Sequence, residues 1–260
     1  VPDVIFSGGV ARYVATRPED GWQLDPDAVE AAITPRTKVL FLGYPCNPTG
    51  AVLEPEVRRR LADIAVRHDL IVISDEVYDR LVYGGHEHEA FSALPGMRER
   101  TILLGGFSKS YAMTGWRVGY ACAPADMLEG MLKIHQYIIM SAPTMSQDAA
   151  VCALTEADDE AERMRVEYDR RRGMFMAGLE RIGLPAVEPF GAFYAFPDIS
   201  GTGLSSEEFS ERLLREQQVA VIPGSAFGPS GEGYVRAALA TSYEQLEEAL
   251  VRIERFVNGR

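Results

Sequence analysis

The chain has 260 residues, of which 47% are hydrophobic and 25% charged, so it can bury one large core or two modest ones. Its 38 acidic and 26 basic side chains give a net charge of −12 at pH 7, which argues against nucleic acid and anionic membrane surfaces as partners. No run approaches the roughly 18 consecutive apolar residues of a membrane span. The three cysteines, an odd number, indicate no disulfide framework and favour a cytoplasmic location.

Short apolar runs alternate with longer amphipathic stretches in the first half of the chain, which predicts an α/β fold. Asp25 before a proline predicts the start of a short helix. Pro55 opens a second helix, in which apolar residues recur at helical spacing. Buried strands of a sheet covered on both faces are predicted for three runs of mostly aliphatic residues, 38–44, 70–74 and 101–104.

Two helical stripes of apolar residues follow in the middle of the chain. One runs from Met127 to Ile138, and the other, on a longer helix, runs from Met164 to Ile182. We expect these helices to cover or extend the sheet. Four methionines of this region are expected in the core, because Met fills irregular gaps between helices. They are Met140, Met145, Met174 and Met176.

From about Leu184 the composition changes to short strands punctuated by Gly and Pro, together with two helices. Ser205 and Ser242 each precede a Glu or Gln three residues later, and this pattern predicts two helix starts. The predicted strands are 191–196, 219–222 and 234–239. We therefore predict a large domain at 1–183 and a smaller α+β domain at 184–260.

Lys109 lies in a turn of small residues that follows the predicted strand 101–104. A lysine in such a turn can form a Schiff base with a carbonyl ligand once its amine is deprotonated. Ser108 and Arg117, on either side of it, can hold a phosphate through a hydroxyl and a forked guanidinium. On these residues alone, an exposed loop lysine remains the alternative.

Asp75 comes directly after the predicted strand 70–74, at the edge where open α/β sheets bind ligands. Its carboxylate can pair with a protonated ring nitrogen, or it can cap a following helix. Tyr78 can offer its phenol to the same ligand, or it can pack in the core. Asn47, before a proline, ends another strand and by itself indicates only a turn.

Two segments that contain histidine are weaker candidates. His86 and His88 flank Glu87, but no third ligand at suitable spacing accompanies them, so we expect a solvated loop and no metal. His135 and Tyr137 lie on an apolar helix, where packing or an interface is expected.

Three motifs, each at the end of a predicted strand, together resemble the class I/II aminotransferases of fold type I, which use pyridoxal 5′-phosphate. In chain order they are Asn47-Pro48-Thr49-Gly50, Asp75 with Tyr78, and Ser108-Lys109 with Arg117. The resemblance extends over essentially the whole chain. It implies a cofactor-binding large domain with a mostly parallel sheet and a smaller C-terminal α+β domain.

The resemblance also implies a role for each cofactor-binding residue. Lys109 would hold the cofactor covalently and then move a proton between the substrate α-carbon and the cofactor. Asp75 would keep the pyridine nitrogen protonated. Asn47 and Tyr78 would donate hydrogen bonds to the phenolic oxygen.

The phosphate and the substrate would be held by other residues. The resemblance implies that Ser108 and Arg117 hold the phosphate, whereas Gly106 stands where many relatives carry a further phosphate-binding Ser or Thr. Arg236 would bind the substrate α-carboxylate bidentately, and Asn47 would also contact the substrate. Phe193 and Tyr194 resemble residues of the pocket wall and fit the core equally well.

The implied reaction is transfer of an amino group between an L-amino acid, of the aspartate or aromatic type, and a 2-oxo acid. The resemblance also implies that the protein is a homodimer and acts in amino-acid metabolism. The motifs fit two alternatives: β-elimination or decarboxylation with the same cofactor, or a non-catalytic sensor domain with a DNA-binding domain upstream. The resemblance begins after the N-terminal portion of the family. We therefore expect this sequence to be part of a longer polypeptide.

Overall fold

The computed structural model describes residues 2–259, in which helices and strands alternate through the first half of the chain. The α-helices are α1 (Pro2–Phe6), α2 (Pro26–Ala32), α3 (Pro55–Arg67), α4 (Phe107–Ser110), α5 (Ala125–Ile138), α6 (Thr144–Glu156), α7 (Asp158–Ile182), α8 (Ser206–Gln217) and α9 (Tyr243–Val257). The β-strands are β1 (Val39–Gly43), β2 (Ile71–Asp75), β3 (Thr101–Gly106), β4 (Gly119–Cys122), β5 (Tyr194–Ala195), β6 (Ile222–Pro223) and β7 (Val235–Ala238).

Three helix starts form as their capping residues predict. The Asp25 carboxylate accepts a hydrogen bond from the backbone N–H of the second residue of α2 at 2.9 Å. Ser205 and Ser242 each accept from the backbone N–H three residues later, at 3.2 and 3.3 Å. These contacts satisfy N–H groups that the first turn of a helix leaves without a partner.

The larger sheet has the strand order β1-β2-β3-β4. The first three strands are parallel, and β4 runs antiparallel to β3. The predicted α/β fold with a mostly parallel sheet is therefore confirmed. β2 extends to Asp75 and β3 to Gly106, so these strands end later than predicted. Because the carboxyl ends of parallel strands meet at one edge, the segments that follow β1, β2 and β3 lie there together.

The smaller sheet is antiparallel and has the strand order β5-β7-β6. Two of its predicted strands are wrong in extent. In the segment 191–196 only Tyr194 and Ala195 form a strand, because Ala192 has a φ of 57°, which interrupts extended pairing. In the segment 219–222 only Ile222 joins the sheet, because Gln218 adopts a left-handed turn at a φ of 57° and the chain leaves helix α8 as a loop.

The largest core cluster joins the second half of α7 to the smaller sheet, α8 and α9. Phe175 and Leu179 of α7 pack with Leu213 of α8 and Leu250 of α9, and Tyr78 from the larger sheet's edge belongs to the same cluster. A second cluster lies between β2, α2 and α3. Since the first cluster includes residues from both sides of position 184, the domain boundary stays a prediction.

Helix α5 forms as predicted, but none of its residues is buried. The sequence predicts that this helix covers or extends the sheet, and because Ile134 and Ile138 are exposed, its apolar stripe does not cover the sheet among the described residues. His135 and Tyr137 are exposed as well, which removes packing as their explanation and leaves an interface as a prediction. Within residues 2–259, no helix is both long enough and apolar enough to span a membrane.

The prediction of four core methionines is half wrong. Met140, just after α5, is 80% exposed and Met145, in the first turn of α6, is 71% exposed, because nothing among the described residues packs over them. Met174 and Met176, on α7, are partly buried against the largest core cluster, as predicted.

Candidate active site

Asp75 is the last residue of β2, at the carboxyl edge of the larger sheet. One of its carboxylate oxygens accepts a hydrogen bond from the backbone N–H of Val77 at 3.3 Å. The chain continues as a turn, so Asp75 caps a turn and not a helix. Partial burial raises the pKa of this carboxyl group above its usual value. A cationic ring N–H beside it would reverse that shift, because an opposite charge favours the carboxylate.

Tyr78 follows in the same turn and is buried, with 6% of its surface exposed. Its hydroxyl lies 3.0 Å from the hydroxyl of Tyr194, at the start of β5. Burial and then this hydrogen bond raise the pKa of Tyr78 well above its usual value, so the phenol is neutral at physiological pH. Tyr78 therefore carries a proton that it can donate, and it reaches the smaller sheet.

Arg236, in the middle of β7, meets Asn47 from the loop after β1. Its Nη1 donates a hydrogen bond of 2.7 Å to Asn47 Oδ1. Because a guanidinium only donates, this contact orients the Asn47 side chain and leaves its amide N–H groups available to a ligand. The Nε of Arg236 is buried without a hydrogen-bond partner among the described residues. A carboxylate or another anion beside this guanidinium would supply the missing acceptor.

Lys109 lies in α4, the single helical turn that follows β3 directly. Its Nζ is 5.7 Å from the ring centroid of Phe193, and that ring packs edge-on against Tyr78. The lysine amine therefore points toward the residues at the end of β2 and at the start of β5, and the loop-lysine alternative does not describe its surroundings.

Ser108 and Arg117 are connected through Thr114. The Thr114 hydroxyl donates to the backbone carbonyl of Ser108, and the Thr114 carbonyl accepts from Arg117 Nη1, both at 2.8 Å. Arg117 has a left-handed backbone at a φ of 54°, which directs it out of the preceding turn. Within residues 2–259 neither Ser108 nor Arg117 has a hydrogen bond or an ion pair with Asn47, Asp75 or Tyr78. They form a separate, more exposed end of the site.

Sequence reasoning missed a contact that joins the lysine turn to the tyrosine turn. Ser110, directly after Lys109, is buried, and its hydroxyl donates to the carboxylate of Asp79, directly after Tyr78, at 2.6 Å. The two residues are 31 positions apart, and no local pattern indicates the pairing. This hydrogen bond fixes the two turns relative to each other.

The segment that contains His86 and His88 also differs from the expectation of a solvated loop. His88 lies 2.7 Å from the carboxylate of the buried Glu76, and that carboxylate also accepts from the Ser74 hydroxyl and the Phe91 N–H. His86 packs against the ring of Phe190. These contacts attach the loop to the end of β2.

The site combines a lysine, a carboxylate, a phenol and an amide at the carboxyl edge of a mostly parallel sheet, with an arginine supplied by a second sheet. The candidate site includes three basic side chains, Lys109, Arg117 and Arg236, together with the carboxylate of Asp75, although the whole chain is strongly acidic. Such a site attracts small anions locally. This fold, with its donor set at the carboxyl edge of the sheet, is that of the fold type I class.

Comparison with known proteins gives the family. The family model described as aminotransferase class I and II matches residues 2–253. The chain is 49% identical to a putative aminotransferase, YugH, of Bacillus subtilis and 49% identical to an aspartate aminotransferase of Pyrococcus abyssi, and the alignments cover 98% and 100% of the chain. A solved aromatic aminotransferase of Pyrococcus horikoshii superposes with a TM-score of 0.96 at 49% identity, over 100% of this chain and 70% of that one.

The chain belongs to the class I and II aminotransferases. It spans 66% and 67% of the length of the two curated relatives named above.

Proposed function

We propose that this chain forms most of the active site of an aminotransferase that uses pyridoxal 5′-phosphate. The enzyme would move an amino group between an L-amino acid of the aspartate or aromatic type and a 2-oxo acid. Two observations support the proposal: the family membership, and relatives that are named as aspartate and aromatic aminotransferases. The main structural support for the proposal is the contact between Arg236 and Asn47. This contact brings a carboxylate-binding group to the carboxyl edge of the larger sheet, where the other residues of the site converge.

The donor chemistry of the described residues fits this cofactor. When bound, pyridoxal phosphate supplies an electron sink for the electron pair that remains after the substrate α-carbon loses its proton. Asp75 would hold a proton on the pyridine nitrogen, since a half-buried carboxylate at a strand end gains from an adjacent cation. Asn47 and Tyr78 would donate to the phenolic oxygen. Ser108 and Arg117 would bind the phosphate with a hydroxyl and a guanidinium.

Lys109 would act twice. Its ε-amino group would first hold the cofactor covalently. After substrate has displaced it, the free amine would take the proton from the substrate α-carbon and deliver it to C4′ of the cofactor. Its closeness to Phe193 supports this role, because an apolar ring beside the amine excludes water from the proton's path.

Arg236 would orient the substrate. A planar guanidinium binds a carboxylate through two parallel hydrogen bonds, which fixes the α-carbon relative to Lys109 and lowers the entropic barrier. The buried Nε without a partner supports this assignment. We further propose a cytoplasmic homodimer. Three free cysteines are consistent with a reducing compartment.

A half-reaction screen tests the function. The protein, expressed from its complete reading frame and loaded with pyridoxal phosphate, is mixed with single amino acids while the visible absorbance of the cofactor is followed. We expect conversion to the amino form of the cofactor, with release of the matching 2-oxo acid, for aspartate or an aromatic amino acid. Release of ammonia without that conversion would instead establish elimination. Binding without any conversion would establish a sensor.

A further inference from the structure

Tyr194 connects the two halves of the candidate site. Its hydroxyl lies 3.0 Å from that of Tyr78, and both side chains are buried, with 7% and 6% of their surfaces exposed. The two rings meet edge-on, with centroids 5.9 Å apart. Tyr194 comes from the smaller sheet and Tyr78 from the edge of the larger one, 116 positions apart in the chain.

The ring of Tyr194 also contacts Arg236. The guanidinium carbon of Arg236 lies 4.5 Å from the centroid of the Tyr194 ring and 5.0 Å from that of Phe227, so two aromatic rings hold the cation. A guanidinium over an aromatic face is attracted to the ring's electrons and loses freedom of movement. Tyr194 therefore contacts both the arginine proposed for the substrate carboxylate and the tyrosine proposed for the cofactor.

Counting donors and acceptors shows which of the two tyrosine hydroxyls donates the hydrogen bond between them. A neutral tyrosine has one proton to donate and can also accept. If Tyr78 donates its proton to the phenolic oxygen of the cofactor, the bond between the two tyrosines requires Tyr194 to be the donor. A hydroxyl that accepts one hydrogen bond becomes a stronger donor in the next, because such bonds polarise each other.

We propose that Tyr194 is a positioning residue with two separable parts: its ring holds Arg236 for the substrate carboxylate, and its hydroxyl directs and strengthens the hydrogen bond that Tyr78 donates to the cofactor. This inference rests on the proposed function and extends it to a residue that the sequence pattern leaves undecided between pocket wall and core.

The other charged groups near the Tyr78 hydroxyl are Arg236 and Asp75. Arg236, from β7, lowers the pKa of Tyr78, and Asp75, from the end of β2, raises it. A variant that removes only the Tyr194 hydroxyl leaves both groups in place. Tyr194→Phe therefore isolates the hydrogen bond, whereas Tyr194→Leu also removes the ring beneath Arg236.

The test uses the protein from its complete reading frame, loaded with pyridoxal phosphate, and measures the pH at which the visible absorbance of the bound cofactor changes. We expect Tyr194→Phe to raise this midpoint by about half a pH unit, roughly the effect of one hydrogen bond, because a weaker Tyr78 donor stabilises the deprotonated cofactor less. In a Tyr78→Phe background the same substitution should produce no further shift. The KM for the amino acid should stay near that of the parent in Tyr194→Phe and rise about tenfold or more in Tyr194→Leu.

Tyr83→Phe is the matched control. Tyr83 is also a buried tyrosine, and its hydroxyl donates to the Ala192 carbonyl at 2.7 Å and to none of the proposed cofactor-binding residues. It should lower thermal stability without moving the absorbance midpoint.

Three outcomes would overturn the inference: an unchanged midpoint in Tyr194→Phe, an equal shift in the Tyr78→Phe background, or an equal shift in the Tyr83 control. Failure of the proposed function would look different. In that case the parent protein would show no visible cofactor band, or a band that survives Lys109→Ala.

Discussion

Lys109 differs in its position from the other two lysines of the chain. Lys38 precedes β1, at the opposite edge of the sheet, and Lys133 is exposed on α5, where it forms an ion pair of 2.9 Å with Glu129. Only Lys109 stands at the carboxyl edge, beside the rings that border the site. The three lysines have the same side-chain chemistry, and only their positions relative to the strand ends distinguish Lys109 as the candidate site residue.

We expect Lys109→Ala to abolish the visible absorbance of bound pyridoxal phosphate and all turnover, because no other amine of the described residues reaches the site. The circular dichroism spectrum should remain that of the parent protein. Lys133→Ala, which removes an exposed lysine of equal charge, serves as the control and should retain both properties. A borohydride-stable label that persists after Lys109→Ala would disprove this assignment.

Arg236→Ala should lower kcat/KM for α-amino acids. The loss of a charge-assisted bidentate contact should raise the corresponding activation free energy by about 2–5 kcal/mol. Cofactor binding should weaken less than kcat/KM falls, because the substitution frees Asn47 but removes none of the proposed cofactor-binding residues. An absorbance titration with pyridoxal phosphate measures cofactor binding. Arg212→Ala is matched to it, since Arg212 also lies over an aromatic ring, that of Phe256, but on the outer surface of α8. An equal loss for an amine without a carboxylate would contradict the clamp role.

At the scale of elements, two short turns position Lys109 and Tyr78 of the candidate site, and one hydrogen bond joins the two turns. α4 carries Lys109, and the turn after β2 carries Tyr78. The buried contact between Ser110 and Asp79 links the residues that directly follow each of these. The two turns of the candidate site are therefore joined by a contact between segments that are not hydrogen-bonded strands.

Ser110→Ala should lower the free energy of unfolding by about 1–3 kcal/mol, since it removes a buried hydroxyl that donates to a carboxylate. It should also reduce kcat more than it raises KM, because the lysine turn loses its support while Arg236 is untouched. Urea unfolding and steady-state kinetics measure both effects, with the exposed Ser141→Ala as control. Parent-like values in both measurements would show that the contact is dispensable.

The packing of α7 against α9 gives a second test at this scale. Gly178 is buried, and a Cβ added there would lie 2.3 Å from the Leu250 side chain, so Gly178→Ala should destabilise by about 1–3 kcal/mol through overpacking. Gly173, on the same helix, is exposed, and a Cβ there would meet nothing within 4 Å. Gly173→Ala should therefore stabilise by up to about 1 kcal/mol. Thermal unfolding should show shifts of opposite sign, and shifts of the same sign would refute the packing argument.

For the molecule as a whole, charge and apolar surface are distributed unevenly. The chain carries a net charge of −12, yet the candidate site concentrates cations. In contrast, α5 and the start of α6 expose four large apolar side chains within the stretch 134–145, namely Ile134, Tyr137, Ile138 and Met145. Exposed apolar side chains clustered in this way promote association.

We expect the isolated 260-residue chain to bind a hydrophobic dye and to self-associate through this stretch. Replacing Ile134 and Ile138 by lysine should reduce both dye fluorescence and light scattering, because each exposed apolar side chain that is removed lowers the gain from association. Leu214→Lys, on the outer face of α8, is the control, since Leu214 is exposed apart from this stretch. Equal effects of the control substitution would show that the stretch has no special role.

Much of the fold and most of the candidate site could be predicted from the sequence, because their signals are local. Asp25, Ser205 and Ser242 cap their helices through backbone groups two or three residues away. The three parallel strands are continuous apolar runs, although Val39 and Phe41 of β1 are exposed. A strand's end is visible in the sequence as the first polar or turn-forming residues. The sequence alone therefore assigns Asp75 and Lys109 to one edge of the sheet.

Only the tertiary structure decided which distant residues meet and which apolar surfaces are covered. Arg236 bonds to Asn47 across 189 positions, and Tyr78 bonds to Tyr194 across 116, although neither pairing has a sequence signal. Periodicity predicted α5 correctly but could not show that Met140 beyond its end is exposed, because an apolar stripe is the same whether or not another element packs on it. Local hydrogen bonding and patterning thus determine elements and their ends, whereas non-local packing determines the contacts from which the candidate site is assembled.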